Sequence, residues 1–276
     1  MTPVRAVPVR MVVSGNIVER HDTAEVLSII ASRLDSEMPA GLAVGSVNLD
    51  HLHHFRKIAS VSNGHLEWLL LADGMPIALR GRLLTSRPWP RVTGADLLPA
   101  VLRLAAASGQ RVGFFGGSSE THRILAERLA VEFPALSISG MWSPLACEID
   151  SGSTKLAAEI AAAATDVLVV SLGKPLQERW IDRYGYTTGA RIFLPCGGAI
   201  DFMAGATLRA PHWMQRIGLE WFHRLTHEPR RLARRYLLQG PVALLLATRA
   251  QLICYPGVAY AGNQIRDGDS TESATA

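Results

Sequence analysis

The stretch DVLVVSLGKPLQERWIDRYGYTTGARIFLPCGG, residues 166–198, decides the fold. Its first seven residues, DVLVVSL, centre on the short apolar run VLVV, the pattern of a strand covered on both sides. LQERWIDRYG then reads as a helix that stops at Gly185, and ARIFLPCGG reads as a second buried strand. Strand, helix and strand joined this closely predict parallel pairing through a right-handed crossover. The turn after the first strand gathers Lys174, Gln177, Glu178 and Arg179 at the edge of the sheet, where α/β proteins bind their ligands.

The same alternation extends toward the N-terminus. RVGFFGG and LSISGMW read as strands, with Ser118 or Ser119 capping the helix ETHRILAERLAVEF between them, and SGSTKLAAEIAAAA reads as an Ala-rich helix. The first hundred residues are less regular. GLAVGSV is a strand leading into the helix LDHLHHFRKIAS, and HLEWLLLADG is a strand that stops at Asp73-Gly74, so both halves are expected in one sheet. The fold class is therefore α/β, with a mainly parallel sheet flanked by helices, and all its strands are expected before residue 210.

Beyond residue 210 the character changes. Trp213, Ile217, Trp221 and Leu225 recur every four residues with Met214 and Phe222 beside them, an apolar stripe among arginines, and Pro229 is expected to divide the segment into two helices. The expected organisation is a core over 1–210, an Arg-rich amphipathic helical appendage over 211–262 and a disordered tail over 263–276. The appendage stripe is expected to pack on the core or to enter a lipid boundary.

Composition narrows the function classes. The chain has 276 residues, 48% of them apolar, and a net charge of +4, with arginines crowded between Arg209 and Arg249. That distribution favours an anionic partner. Cys147, Cys196 and Cys254 are far apart and form no C-x-x-C pair, which argues against a disulfide framework or zinc knuckle and fits a reducing cytosol. The N-terminus lacks an apolar signal-peptide run, so export is not expected. GPVALLLATRAQLICYPG is interrupted by Arg249 and falls short of the roughly 20 residues a spanning helix needs.

Several residues carry both a chemical and a plain reading. Gly116-Gly117 after a strand allows backbone N–H groups to approach a diphosphate at a helix start, or is an ordinary tight turn. His51, His53 and His54 crowd one helix, but a metal site needs a further ligand that the sequence does not indicate. Asp73, at the end of WLLLAD, is either a turn former or a carboxylate placed for general-base work. In RVTGADLLPAVL, Arg91 is either solvated or held over a phosphate, and Asp96 opens a helix.

These residues belong to longer motifs. SVNLDHL, ADGMPIALR, RVTGADLLP, GFFGGSSE, VLVVSLGKPLQERWI, CGGAIDFMAG and RAPHWMQRIGLEWFHRLTHEPRRLARRY follow one another in an order that resembles the WecG/TagA/CpsF glycosyltransferases over about residues 12–237. The resemblance implies a Rossmann-like core and a hexosyl or N-acetylhexosaminyl transfer that is inverting and metal-independent, with no cofactor. The donor is a UDP-sugar, of N-acetylmannosamine or uronate type. The acceptor is a polyprenyl-diphosphate-linked sugar used in cell-wall or surface-polysaccharide synthesis, at the cytoplasmic face of the plasma membrane.

By motif, the resemblance makes Asp73 the base for the acceptor hydroxyl and sets Ser46 and Asn48 beside the donor sugar. It places Arg91, Gly116, Gly117, Gly173, Gln177 and Glu178 around the nucleotide-sugar, and Arg224, Arg231 and Arg234 in a segment that closes over the site on an anionic membrane surface. Ser46 stands where the family has Thr, and Gly140-Met141-Trp142 stands where relatives often read G-Y-F. Self-association is left open.

Two other classes compete on the residues alone. A nucleotide-dependent dehydrogenase would share the βαβ run, but neither G-x-G-x-x-G nor a Walker pattern is present. A non-catalytic module could use the arginines to hold nucleic acid or anionic lipid. The helical period of Trp213, Trp221 and Phe222 suits lipid better than base stacking, so no nucleic-acid partner is expected.

Overall fold

The computed structural model describes residues 8–36, 40–55, 65–207 and 209–253. A hairpin of β1 (Arg10–Val13) and β2 (Asn16–Glu19) precedes α1 (Thr23–Leu34), β3 (Gly41–Val47), α2 (Leu49–His54), β4 (Leu66–Ala72), α3 (Met75–Thr85) and α4 (Gly94–Ser108). There follow β5 (Arg111–Phe115), α5 (Ser119–Glu132), β6 (Ser137–Trp142), α6 (Ala146–Ala162), β7 (Val167–Val170), α7 (Leu176–Tyr184) and β8 (Ile192–Pro195). Short helices α8 (Ala199–Ala204), α9 (His212–Arg216), α10 (Glu220–His227) and α11 (Pro229–Ala233) lead through a π-helical turn to α12 (Gly240–Thr248) and a last short strand, β9 (Gln251–Leu252).

The nine strands of the described residues form one sheet in the order β6-β5-β7-β8-β3-β4-β2-β1-β9. From β6 to β2 every neighbour is parallel, and β1 runs antiparallel to both β2 and β9. This is a Rossmann-like architecture. Strand periodicity sorts the core into two faces. Val167 and Val169 of β7, with Ile192 and Leu194 of β8, meet α1, α4, α5 and α8. Leu168, Val170 and Phe193 point the other way, toward Ala157 and Ile160 of α6 and Trp180 and Ile181 of α7. Strands buried on both faces need apolar residues at every position, which is why the 166–198 stretch reads so clearly. The buried Trp180 indole donates to Ser153 Oγ at 3.0 Å, so burying it leaves no N–H unpaired.

Three features differ from the sequence reading. The opening hairpin escaped it: Val13 pairs with Asn16 across a two-residue turn in which Ser14 (φ 49°) and Gly15 (φ 81°) both lie in the left-handed region that such hairpins require. The strands do not all precede residue 210, because β9 pairs with β1 through Met11–Leu252 and Val12–Gln251. The segment after 210 is broken at Gly218 as well as at Pro229. Gly218 has φ 79°, and a Cβ there would lie 3.0 Å from Met75. The stripe is thereby divided between α9 and α10, with Trp213 60% exposed and Ile217 and Trp221 also exposed rather than packed on the core. The helix expected over 49–60 is described only as far as His54, and the 263–276 tail lies outside the described residues.

The segment after Tyr236 packs on the core through one face. Ala243 and Ala247 of α12 and Ala250 are buried with Leu52 of α2, Ile77 and Ala78 of α3, and Met11 and Val13 of β1. Its other face exposes Leu237, Leu238, Val242, Leu244 and Leu245. No helix among the described residues is long and apolar enough to cross a membrane.

Candidate active site

Chain order creates a crevice at the C-terminal ends of the parallel strands. After β5 the chain steps outward to β6, whereas after β7 it steps inward to β8, which in turn neighbours β3. The loops after β3, β4, β7 and β8 meet there. They bring together Ser46, Asn48, Asp73, Gln177 and Glu178, five of the residues singled out from the sequence.

Asp73 follows the last residue of β4, and its backbone N–H donates to Val47 O at 3.0 Å, which turns the chain across the tip of β3. Its carboxylate Oδ2 accepts from Asn48 Nδ2 at 2.9 Å. Asn48 caps α2, and its Oδ1 accepts from His51 N at 3.1 Å. The capping bond fixes which end of the amide faces the helix, so the NH₂ end is left for Asp73.

Beside this pair lies a buried ion pair. Lys174 Nζ donates to Glu178 Oε1 at 2.8 Å and to Ser46 O at 2.8 Å; the side chains are 9% and 1% exposed. Ser46 thus enters the network through its carbonyl. Gln177 Nε2 donates to the same Glu178 oxygen at 3.2 Å, and Gln177 Oε1 accepts from Gly197 N at 3.1 Å in the loop after β8. Glu178 Oε2 and Ser171 Oγ are buried without a hydrogen-bond partner among the described residues.

Lys174 also approaches His51 Nδ1, at 3.4 Å. The tautomer follows from Asn16, whose Nδ2 donates to Val13 O and Ser14 O and whose Oδ1 lies 3.1 Å from His51 Nε2. Nε2 therefore carries the proton and Nδ1 accepts from Lys174. Burial, with the charge of Lys174 and then that of His54 adding, holds the His51 pKa well below its usual value. Burial likewise pushes the Cys196 thiol up to about 12, with Lys174 opposing and Asp73 reinforcing the shift.

Guanidinium groups flank the crevice. Arg209 pairs with Asp96 at 2.7 Å. Burial alone would lower the Arg209 pKa, but the hydrogen bond and charge of Asp96, then Glu220 and Asp73, outweigh it and raise it. Arg91 reaches Glu220 of α10 at 3.7 Å, which ties the loop between α3 and α4 to the C-terminal segment. Arg224 lies with its guanidinium carbon 5.6 Å from the centre of the Phe202 ring, and a Cβ on Gly198 would sit 3.5 Å from its Nη2. Arg234 is exposed, and the side chain of Arg231 lies outside the described residues.

Gly116 and Gly117 occupy the loop between β5 and α5, with φ 89° and 86°. A Cβ on Gly116 would meet Leu172 and the Ser171 backbone at 2.7–2.8 Å, so the turn requires glycine whatever it binds. Gly173 has φ 78° with open space where a Cβ would be. The Trp142 ring lies against Gly140 and Gly113 within its own sheet neighbourhood, 2.5 and 2.8 Å from where Cβ atoms would stand.

Sequence reasoning placed Lys174 at the sheet edge but gave it no role, and it passed over His51 as a network member, Asn16 and Arg209. The available signals were the i,i+4 spacing of Lys174 and Glu178 and the Asn48-x-x-His51 capping spacing. No group of three or more His, Cys, Asp or Glu side chains able to hold a metal ion occurs among the described residues.

A model of the family described as "Glycosyl transferase WecG/TagA/CpsF family" matches residues 11–255. Among curated relatives, the chain is 30% identical over 165 residues to an N-acetylglucosaminyldiphosphoundecaprenol N-acetyl-beta-D-mannosaminyltransferase of Bacillus subtilis (strain 168), covering 60% of this chain and 63% of that one. It is 24% identical, over the same shares, to the protein of that name from Staphylococcus aureus (strain MRSA252). The chain thus spans 63% of the length of these relatives.

Proposed function

The chain belongs to the WecG/TagA/CpsF glycosyl transferase family, and from that premise we propose that it transfers a sugar from a UDP-linked donor to a polyprenyl-diphosphate-linked acceptor, with inversion and without a divalent metal. The reading rests on one observation above the others: Asp73 stands at the strand-end crevice with its carboxylate held by Asn48 at 2.9 Å. A carboxylate with one oxygen fixed is oriented to take a proton with the other.

In this reading the acceptor hydroxyl gives its proton to Asp73 as its oxygen bonds to the anomeric carbon, and the bond from that carbon to the UDP oxygen breaks on the opposite face. The charge that develops on UDP needs positive neighbours. Arg91 is assigned to it, together with Arg224 and Arg231 of the C-terminal segment and the Gly116-Gly117 backbone. Gln177, Glu178, Gly173, Ser46 and Asn48 are assigned to the nucleotide-sugar. That the relatives are N-acetylglucosaminyldiphosphoundecaprenol N-acetyl-beta-D-mannosaminyltransferases supports an N-acetylmannosamine donor over a uronate and an N-acetylglucosamine-diphosphate-lipid acceptor, and we place the reaction in cell-wall polymer synthesis.

The C-terminal segment from 211 is proposed to meet an anionic membrane surface at the cytoplasmic face. The exposed Trp213, Ile217 and Trp221 support this, because a solvent-facing aromatic and aliphatic stripe among arginines suits a headgroup boundary. Arg234 is assigned to the headgroups.

The test is UDP release from a panel of UDP-N-acetylmannosamine, UDP-N-acetylglucosamine and a UDP-uronate with a lipid-diphosphate-N-acetylglucosamine acceptor, with and without EDTA. Release with the N-acetylmannosamine donor that survives chelation is expected. No release with any donor removes the transferase reading. Loss in EDTA that Mg²⁺ or Mn²⁺ restores removes the metal-free one.

A further inference from the structure

We infer that Lys174 is a positioning residue that aims the Asp73 carboxylate. Its kinetic consequence rests on the transferase reading above; its geometric consequence does not. An ammonium has three N–H donors, and Lys174 has three acceptors: Ser46 O and Glu178 Oε1, each at 2.8 Å, and His51 Nδ1 at 3.4 Å. With all three spent and the side chain 9% exposed, Lys174 has no donor left for a substrate.

What it holds are three elements: the end of β3, the start of α7 and the middle of α2. Two of them constrain Asn48. Ser46 lies two residues before it on the same strand end, and His51 N donates to its Oδ1 at 3.1 Å. Asn48 Nδ2 in turn donates to Asp73 Oδ2 at 2.9 Å. Lys174 therefore acts on Asp73 through two routes that converge on one amide.

A plain stabilising ion pair would be the alternative, but a buried pair is a weak source of stability compared with apolar groups of the same volume. The resemblance assigns Gly173, Gln177 and Glu178 to the nucleotide-sugar and leaves Lys174 between them without a role.

The experiment uses the full chain. In ¹⁵N-labelled protein the side-chain amide of Asn48, assigned by its loss in Asn48→Ser, is followed in Lys174→Met. Displaced or broadened Asn48 amide resonances are expected, and unchanged ones in a folded variant overturn the inference. In kinetics, Lys174→Met is expected to lower kcat by about 10²-fold, the scale of an ångström of misplacement at a reacting group. Because Lys174 works through Asp73, the Asp73→Asn, Lys174→Met double variant should be no slower than Asp73→Asn alone. Losses that multiply overturn the inference.

Lys174→Met strands the buried Glu178 carboxylate. If that variant does not fold, Lys174→Met with Glu178→Gln removes both charges and carries the amide readout alone. If the wild-type chain transfers no sugar, the transferase reading falls, while the Asn48 resonances still decide the role of Lys174.

Discussion

Asp73 and Asn48 face each other across 2.9 Å at the tips of adjacent strands, and the consequences of altering them differ from those of altering the residues that support them. Asp73→Asn keeps the shape and removes the basic oxygen. Turnover should fall by about 10²-fold or more while UDP affinity, measured by calorimetry, stays near wild type; near-normal turnover would exclude Asp73 as the base. His51 gives a different signature. Its folded pKa is depressed by burial, with Lys174 and His54 adding, so below about pH 6.5 the unfolded chain binds a proton that the folded protein does not. Stability is then full above the unfolded pKa and is lost as pH falls toward the folded one. Urea midpoints at pH 7.5 and 5.5 should show a smaller drop in His51→Gln than in wild type, and equal drops would mean that His51 binds its proton equally in the folded and unfolded states. The strand-end place of Asp73 was legible in the sequence because it ends an apolar run. Lys174 and His51 could not be joined from the sequence, since 123 positions separate them and they meet through the β7–β8 and β8–β3 pairings.

Among the elements, α12 and β9 carry the largest departure from the sequence reading. α12 was legible as apolar but not as a core element, because a helix that buries only small residues, Ala243 and Ala247, looks the same in sequence as one that buries its leucines. β9 is two residues long, below the length at which alternation can be recognised. The β7–α7–β8 run was legible for the opposite reason, since both its strands are apolar and buried at every position. Ala243 is fully buried beside α2 and α3, so Ala243→Leu should overpack the contact and cost about 1–3 kcal/mol in urea unfolding, and a wild-type midpoint would mean the helix lifts away. Ending the chain after Ala210 should lower the thermal midpoint rather than leave an undisturbed core, because it uncovers Met11, Val13, Leu52 and Ile77. An unchanged midpoint would make the segment dispensable for folding.

At the scale of the whole molecule, the segment over 211–250 is bridged to the core by Arg91–Glu220 and by Arg235–Asp50 at 3.0 Å. Replacing Trp213, Ile217 and Trp221 by Ser should change stability by no more than about 0.5 kcal/mol each, since all three are exposed. The same variant should lose co-sedimentation with vesicles containing anionic lipid, and full retention would return these residues to an ordinary surface.

The pairing of β9 with β1 also bears on how the chain is made. Met11 and Leu252 are roughly 240 residues apart in sequence, so one of the longest-range contacts in the fold lies at the margin of the sheet. At about 5–20 residues per second on the ribosome, β1 waits some 10–50 s for the strand that covers its outer side. Until then its unpaired N–H and C=O groups offer a template to any neighbouring extended chain. The β1–β2 hairpin can form early, from local contacts, but its outer hydrogen bonds are completed last. High expression rates should therefore favour aggregates in which the first hairpin of one nascent chain pairs with another.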